Sequence, residues 1–143
     1  MTPATGRSPS ASIYLATIGP HGLRDVAAQG AARAARLESA LAAVGAPRVH
    51  RGPYLNEFAV AVPDARTVHR RLIERGILAG LVLADIVPDE PSLAEALLVC
   101  ATEITTDAEI ALFASALATE LAGSAAAVPP APAAPSVAVE AAR

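Results

Sequence analysis

The sequence predicts an α/β protein, a two-layer α+β sandwich with helices on one face of a short sheet, and three observations carry that expectation. Apolar residues between Leu23 and Val44 recur at three-to-four spacing, as on an amphipathic helix. Residues Glu57 to Val62 alternate, setting Phe58, Val60 and Val62 on one side and Ala59 and Ala61 on the other, as on a strand. Helical and strand-like stretches then alternate as far as residue 122, with no internal repeat.

Taken in order, residues 1–10 (MTPATGRSPS) are polar with two prolines and no periodicity, and are expected to form a disordered leader. Ile13, Leu15 and Ile18 suit the end of a helix that Gly19 and Pro20 stop. A long helix is expected from about Gly22 to Val44, its buried stripe being Leu23, Val26, Ala27, Gly30, Ala34, Leu37, Leu41 and Val44, with Gly45 as C-cap. Val49 to Arg51 is a short, weak strand signal, and Glu57 to Val62 a strong one. Asp64 is the expected N-cap of a helix that runs to Arg75, buries Val68, Leu72 and Ile73, and stops at Gly76.

A strand is expected at Ile77 to Ala79, followed by loop, and Asp85 to Ser92, with its prolines and acids, should be exposed. Leu97 to Glu103 is apolar on both faces until Thr102, as a central strand would be. Thr106 and Glu109 have the spacing of a capping box, which opens a last helix with a stripe of Ile110, Phe113, Leu117 and Leu121. Residues 11–122 therefore form the expected folded domain, and 123–143, rich in Ala and Pro, a disordered tail.

Composition excludes several chemistries. All 11 basic residues are Arg, so the chain has no amine for a Schiff base and no P-loop lysine. A net charge of -3 gives no electrostatic reason to expect nucleic acid. Arg66, Arg70, Arg71 and Arg75 lie at helical spacing and are expected to form a solvated face. The single cysteine, Cys100, excludes an internal disulfide and suits a reducing, cytoplasmic compartment; within its apolar stretch it is expected to be a small buried hydrophobe. Neither a signal peptide nor a membrane span is predicted, since the apolar run Gly76 to Ala84 is far below the roughly 20 residues a bilayer needs. His21, His50 and His69 have no metal-ligand spacing, so no metal site is expected.

Asn56, Glu57, Thr102 and Glu103 are the candidate site residues. Each pair stands at one end of an expected strand, and if those strands are neighbours the four gather at one edge of the sheet, where sites are commonly built. The alternative is that they cap the strand ends and bond loop backbone.

Three blocks, in order, resemble a known family. They are ASIYLATIGPHGLRDVA from Ala11, with Tyr14, Leu15, Ala16, Gly19, Gly22, Leu23 and Val26 on the shared pattern; GPYLNEFAV (Gly52 to Val60); and ALLVCATEITTDAEI (Ala96 to Ile110). Together they resemble the C-terminal region of subunit 1 of glycine dehydrogenase (decarboxylating), the P-protein of the glycine cleavage system. Where the family usually carries a Gly-Gly pair, this chain has Ala79-Gly80. The resemblance implies the small C-terminal domain of a fold-type I pyridoxal-phosphate enzyme. It further implies that the cofactor lysine comes from subunit 2, so that this chain alone binds no cofactor. The implied partners are the remainder of subunit 1, subunit 2 and the lipoylated H-protein, and the implied reaction is glycine decarboxylation with aminomethyl transfer to the lipoyl arm. Because the resemblance reaches only part of the family's subunit, the chain is expected to be inactive alone. The competing expectations are a stand-alone ferredoxin-like binding or regulatory module, and a gene remnant without function.

Overall fold

Residues 9–125 are described in a computed structural model. The elements run α1 (Pro9–Ala43), β1 (Glu57–Ala61), α2 (Ala65–Glu74), β2 (Leu81–Val82), α3 (Leu83–Ile86), β3 (Ala96–Cys100) and α4 (Asp107–Ala125), with a 3₁₀ turn at Pro91–Leu93. The expected mixed α/β class is met, with a three-stranded antiparallel sheet in the order β1-β3-β2. The expected leader and tail fall mostly on residues 1–8 and 126–143, outside the described residues; α1 already includes Pro9 and Ser10, and α4 continues two residues past Gly123.

The expected helix stop at Gly19–Pro20 is a kink inside α1, where Gly19 takes φ 63° and ψ -176°. Pro20 opens the second arm, where a missing N–H costs nothing. At the other end Gly45 has φ 91°, and Ala46 and Gly45 N–H donate to Leu41 O (3.0 Å) and Ala42 O (3.2 Å). These two bonds form a Schellman motif, which needs the left-handed residue that glycine supplies.

The sheet register sorts the strand residues. Val60 faces Leu97 and Leu97 faces Val82, while Phe58 faces Val99; all five are buried. They share one core with Ala34, Leu37 and Leu41 of α1, Val68 and Leu72 of α2, and Ala114 and Leu117 of α4. At the intervening register positions stand Ala59, Leu98 and Leu81, half-buried to exposed. Helices therefore cover the face that carries the branched residues, as the alternation of β1 implies.

Several local expectations are corrected. Val49 to Arg51 is no strand; pairing is confined to a bridge between Arg48 and Val60, because Arg48 is drawn toward Glu38 instead of running along β1. The strand expected at Ile77 to Ala79 lies later, at Leu81–Val82, and is two residues long. The cause is Gly80, with φ 86°: a Cβ there would stand 2.0 Å from Leu98 O, so the chain crosses tightly against β3 before it can pair. Of the Ala79-Gly80 pair, Gly80 is the position where only glycine fits. The sheet accordingly has three strands, not the four of a ferredoxin-like fold.

Asp85 to Ser92 is exposed as expected, but its start is the end of α3 and its last two residues lie in the 3₁₀ turn. The strand expected from Leu97 to Glu103 is central, and it ends at Cys100. In α2 the expected Ile73 is exposed and Ala65 is buried in its place. Asp64 caps by position alone: it is left-handed (φ 49°), makes no side-chain cap bond, and the Ala65 N–H donates to Glu95 Oε2 (3.4 Å).

The long stripe of α1 is only half correct. Gly30, Ala34, Leu37 and Leu41 are buried and Val44 packs against the core, whereas Leu23 and Ala27 are exposed and Val26 is half-buried. Gly30 lies alongside the backbone of Thr102 and Glu103, just past the end of β3, so residues before it run beyond the sheet.

The capping box is present as expected. Thr106 N–H and Oγ1 both donate to Glu109 Oε2 (2.7 Å each), and Glu109 N–H donates to Thr106 Oγ1 (3.2 Å). These bonds hold the Glu109 carboxyl below its usual range. Asp107, also in the first turn, accepts from Arg33 (2.6 Å) and Arg36 (2.8 Å), which ties α4 to α1 and lowers its pKa through the Arg36 and then the Arg33 bonds.

Candidate functional site

The four candidate residues come to one end of the sheet because β1 and β3 pair antiparallel. Glu57 begins β1 directly across from Cys100, the last residue of β3, and Ala101 N–H donates to Asn56 O (2.9 Å). Thr102 and Glu103 follow at once in a turn closed by Thr105 N–H to Thr102 O and Thr102 N–H to Thr105 Oγ1, both 3.0 Å. Asn56, Thr102 and Glu103 are half-buried and Glu57 is exposed.

Cys100 corrects the expectation of a buried hydrophobe. It is exposed, because β3 has reached the end of the sheet, and its Sγ accepts a long 3.7 Å contact from Asn56 Nδ2. Partial desolvation and then the nearby Glu57 carboxylate raise its pKa. At neutral pH it is a thiol, the poorer nucleophile.

An open groove of about 560 Å³ adjoins this end. Its walls are the 76–78 segment, Cys100, the 102–105 turn and the first turns of α4. Leu78 is 85% exposed, Ile104 80% and Leu112 60%, while Phe113 packs partly against the core. Glu109 is its single charged lining residue. Among the described residues no group of His, Cys, Asp and Glu is placed to hold a metal. The chemistry this end offers is an apolar wall beside carboxylates, a carboxamide and threonine hydroxyls, a set that accepts hydrogen bonds and attracts cations.

Two polar clusters were not singled out in the sequence. Glu120 is 5% exposed, and Arg71 (3.4 Å) and Arg75 (2.8 Å) both reach its carboxylate. Arg66, Arg70 and Arg71 of α2 and Arg75 at its C-cap are exposed as expected, but Arg71 and Arg75 are also partners of a buried acid, and Arg66 pairs with Asp85. The signal was present: Glu120 sits three residues after Leu117, on the apolar side of α4.

The second cluster shapes the loop before β1. Arg48 Nε donates to Glu38 Oε1 (2.8 Å), Arg48 Nη1 to Gly52 O (2.6 Å), and Tyr54 OH to Glu38 Oε2. The Tyr54 bond lowers the Glu38 pKa, with burial opposing and Arg48 assisting. Burial, followed by the Glu38 bond and charge, pushes Tyr54 up to about 12. Arg48 also stacks over the Tyr54 ring at 4.9 Å. Thus the segment that delivers Asn56 and Glu57 is fastened to α1. Elsewhere, His69 Nε2 lies 3.0 Å from Gly80 O, to which it donates, pinning the tight crossing to α2.

No family model matches the chain. Among curated proteins, "Probable glycine dehydrogenase (decarboxylating) subunit 1" of Thermomicrobium roseum is 44% identical over 103 residues, or 71% of this chain and 22% of that protein. Its counterpart in Novosphingobium aromaticivorans is 41% identical over 107 residues (74% and 24%), and that in Methylococcus capsulatus 41% over 111 residues (76% and 24%). A solved structure of glycine decarboxylase (P-protein) of the glycine cleavage system, in inhibitor-bound form, matches with TM-score 0.63 and 33% identity over 76% of this chain and 24% of that one. The chain spans about a quarter of the length of these relatives. Sequence and fold agree that, over about three quarters of its length, the chain is homologous to a portion of glycine dehydrogenase (decarboxylating) subunit 1.

Proposed function

We propose that the chain is the small C-terminal domain of a glycine decarboxylase subunit 1, and that it contributes to glycine decarboxylation and aminomethyl transfer to the lipoylated H-protein only when assembled with the remainder of subunit 1 and with subunit 2. The observation that carries this is the joint match of sequence and fold to one enzyme over 76% of the chain.

The family's cofactor is pyridoxal phosphate, which supplies an electron sink for carbanion chemistry. The residues here do not fit it. The chain has no lysine, and the groove beside the candidate residues is lined by one carboxylate and no cation. Arg33 and Arg36, which reach Asp107 in the first turn of α4, are already bound to it. A phosphate would be repelled there. We therefore assign the cofactor to the partner polypeptides and the cytoplasm as the site of action.

In this reading Asn56, Glu57, Thr102 and Glu103 face the shared active-site side. Their role is to present acceptors and to fix the register of the sheet end.

The test is reconstitution. The chain is mixed with the Thermomicrobium roseum subunit 1 deleted of its matching stretch, with that organism's subunit 2 and with lipoylated H-protein, and release of labelled carbon dioxide from glycine is measured. Release should require the chain, and its absence in the complete mixture would remove the proposal. Alanine at Glu57 and Glu103 together should lower the reconstituted rate at least tenfold. An unchanged rate would withdraw those residues from the site.

A further inference from the structure

The first arm of α1, residues 9–18 (PSASIYLATI), carries no charged residue. Ile13 is 66% exposed, and Tyr14 and Leu15 about half exposed. Consecutive helical residues are about 100° apart, so these three side chains reach around more than half of the helix. A surface helix has one apolar stripe and an opposing charged face; this arm has no charged face, its polar side chains being Ser10, Ser12 and Thr17, of which Thr17 Oγ1 donates back to Ile13 O (2.7 Å). No single flat surface can cover this arm.

The arm and the groove lie at the same end of the molecule. Gly30 is level with Thr102 and Glu103, and the ten helical residues 20–29 carry α1 about 15 Å beyond them before the kink at Gly19. The groove, with Leu78 and Ile104 almost fully exposed, opens at that end too. At the opposite end β2 passes into α3, whose exposed Ile86 has no such neighbours among the groove residues.

We infer that the arm of α1 and the Leu78–Ile104–Leu112 groove form one docking surface, and that its occupant is the polypeptide corresponding to the three quarters of subunit 1 that this chain does not span. This rests on the proposed function and adds to it the surface through which assembly occurs. Length argues for that occupant: the homologous proteins are about four times as long as the matched stretch, so in them chain is available to surround such an arm. Docking there places the candidate residues at the seam between the two polypeptides, where each contributes a wall.

The full chain, in four versions, would be passed over a size-exclusion column with the Thermomicrobium roseum subunit 1 lacking its matching stretch. The versions are the wild type, the arm variant Tyr14→Glu with Leu15→Glu, the groove variant Leu78→Glu with Ile104→Glu, and Ile86→Glu at the far end. All substituted residues are exposed, and circular dichroism melts would verify that each variant folds. Co-elution of the wild type and of Ile86→Glu, with at least tenfold weaker association for both double variants, is the expected result. Co-elution that ignores the double variants overturns the docking surface and leaves the proposed function standing. A wild-type chain that does not co-elute overturns both. A chain that alone elutes as a dimer, split to monomers by the same variants, overturns the inference by assigning the surface to a second copy.

Discussion

The apolar stripe that runs along α1 from Leu23 to Val44 meets opposite fates in its two halves. From Gly30 to Leu41 the stripe is buried, with Ala34 and Leu41 at 0% exposure, while Leu23 and Ala27 stand open, as do Tyr14 and Leu15 before the kink. The difference teaches that periodicity announces that a face will be covered and is silent on what covers it. The sheet and α4 supply the cover for the second half, and β3 ends at Cys100; the first half has none within the described residues.

The largest expected effect sharpens that contrast directly. Leu41→Ala opens a cavity in the shared core and should cost about 2–5 kcal/mol in a urea melt. Leu23→Ala on the same stripe should change stability by no more than about 0.5 kcal/mol in the isolated chain. Comparable losses at both positions would show that the arm is covered after all.

Next comes the buried carboxylate that joins α2 to α4. Arg71→Ala with Arg75→Ala leaves Glu120 buried without its cations and should cost about 3 kcal/mol. Glu120→Gln leaves only exposed arginines behind and should cost less, about 1 kcal/mol. Denaturant melts of the two proteins would reverse that order if the arginines were merely solvated.

A smaller effect is expected at the loop that carries Asn56 and Glu57. Tyr54→Phe removes the donor to Glu38 and should cost about 1 kcal/mol near neutral pH. The sign of its pH dependence follows from the pKa of Tyr54, raised from 10.0 to about 12. A group with a raised folded pKa contributes stability that is fully present below its unfolded value and is lost as pH rises through the folded one. Wild-type stability should therefore fall between pH 10 and 12, and melts of Tyr54→Phe over that range should lack this component. Glu38 works in the other direction: its pKa is lowered from 4.5, so its contribution is present above that value and fades as pH falls through the lowered one.

How much was legible depends on how local the cause is. The capping box at Thr106 and Glu109, the Schellman stop at Gly45 and the inward face of Phe58, Val60 and Val62 are set by neighbours within a few residues, and the structure shows each. The position of β2 was not legible, because it depends on the clearance between Gly80 and Leu98 O, eighteen residues away. Cys100 was misjudged for a similar reason, since its apolar neighbours in sequence say nothing of where the sheet ends. The gathering of Asn56, Glu57, Thr102 and Glu103 was conditional on strand pairing, a non-local fact.

By itself, then, the sequence determined the class of the fold, the stop of α1 at Gly45, the capped start of α4, the inward face of β1 and the family resemblance, because each follows from short-range stereochemistry or from a pattern of residue types. Only the tertiary structure decided which apolar residues are buried, that Glu120 is held by two arginines, and that one end of the molecule combines an uncovered arm, an open groove and the candidate residues. Burial is a relation between distant segments, and the extent of a three-stranded sheet sets where it stops.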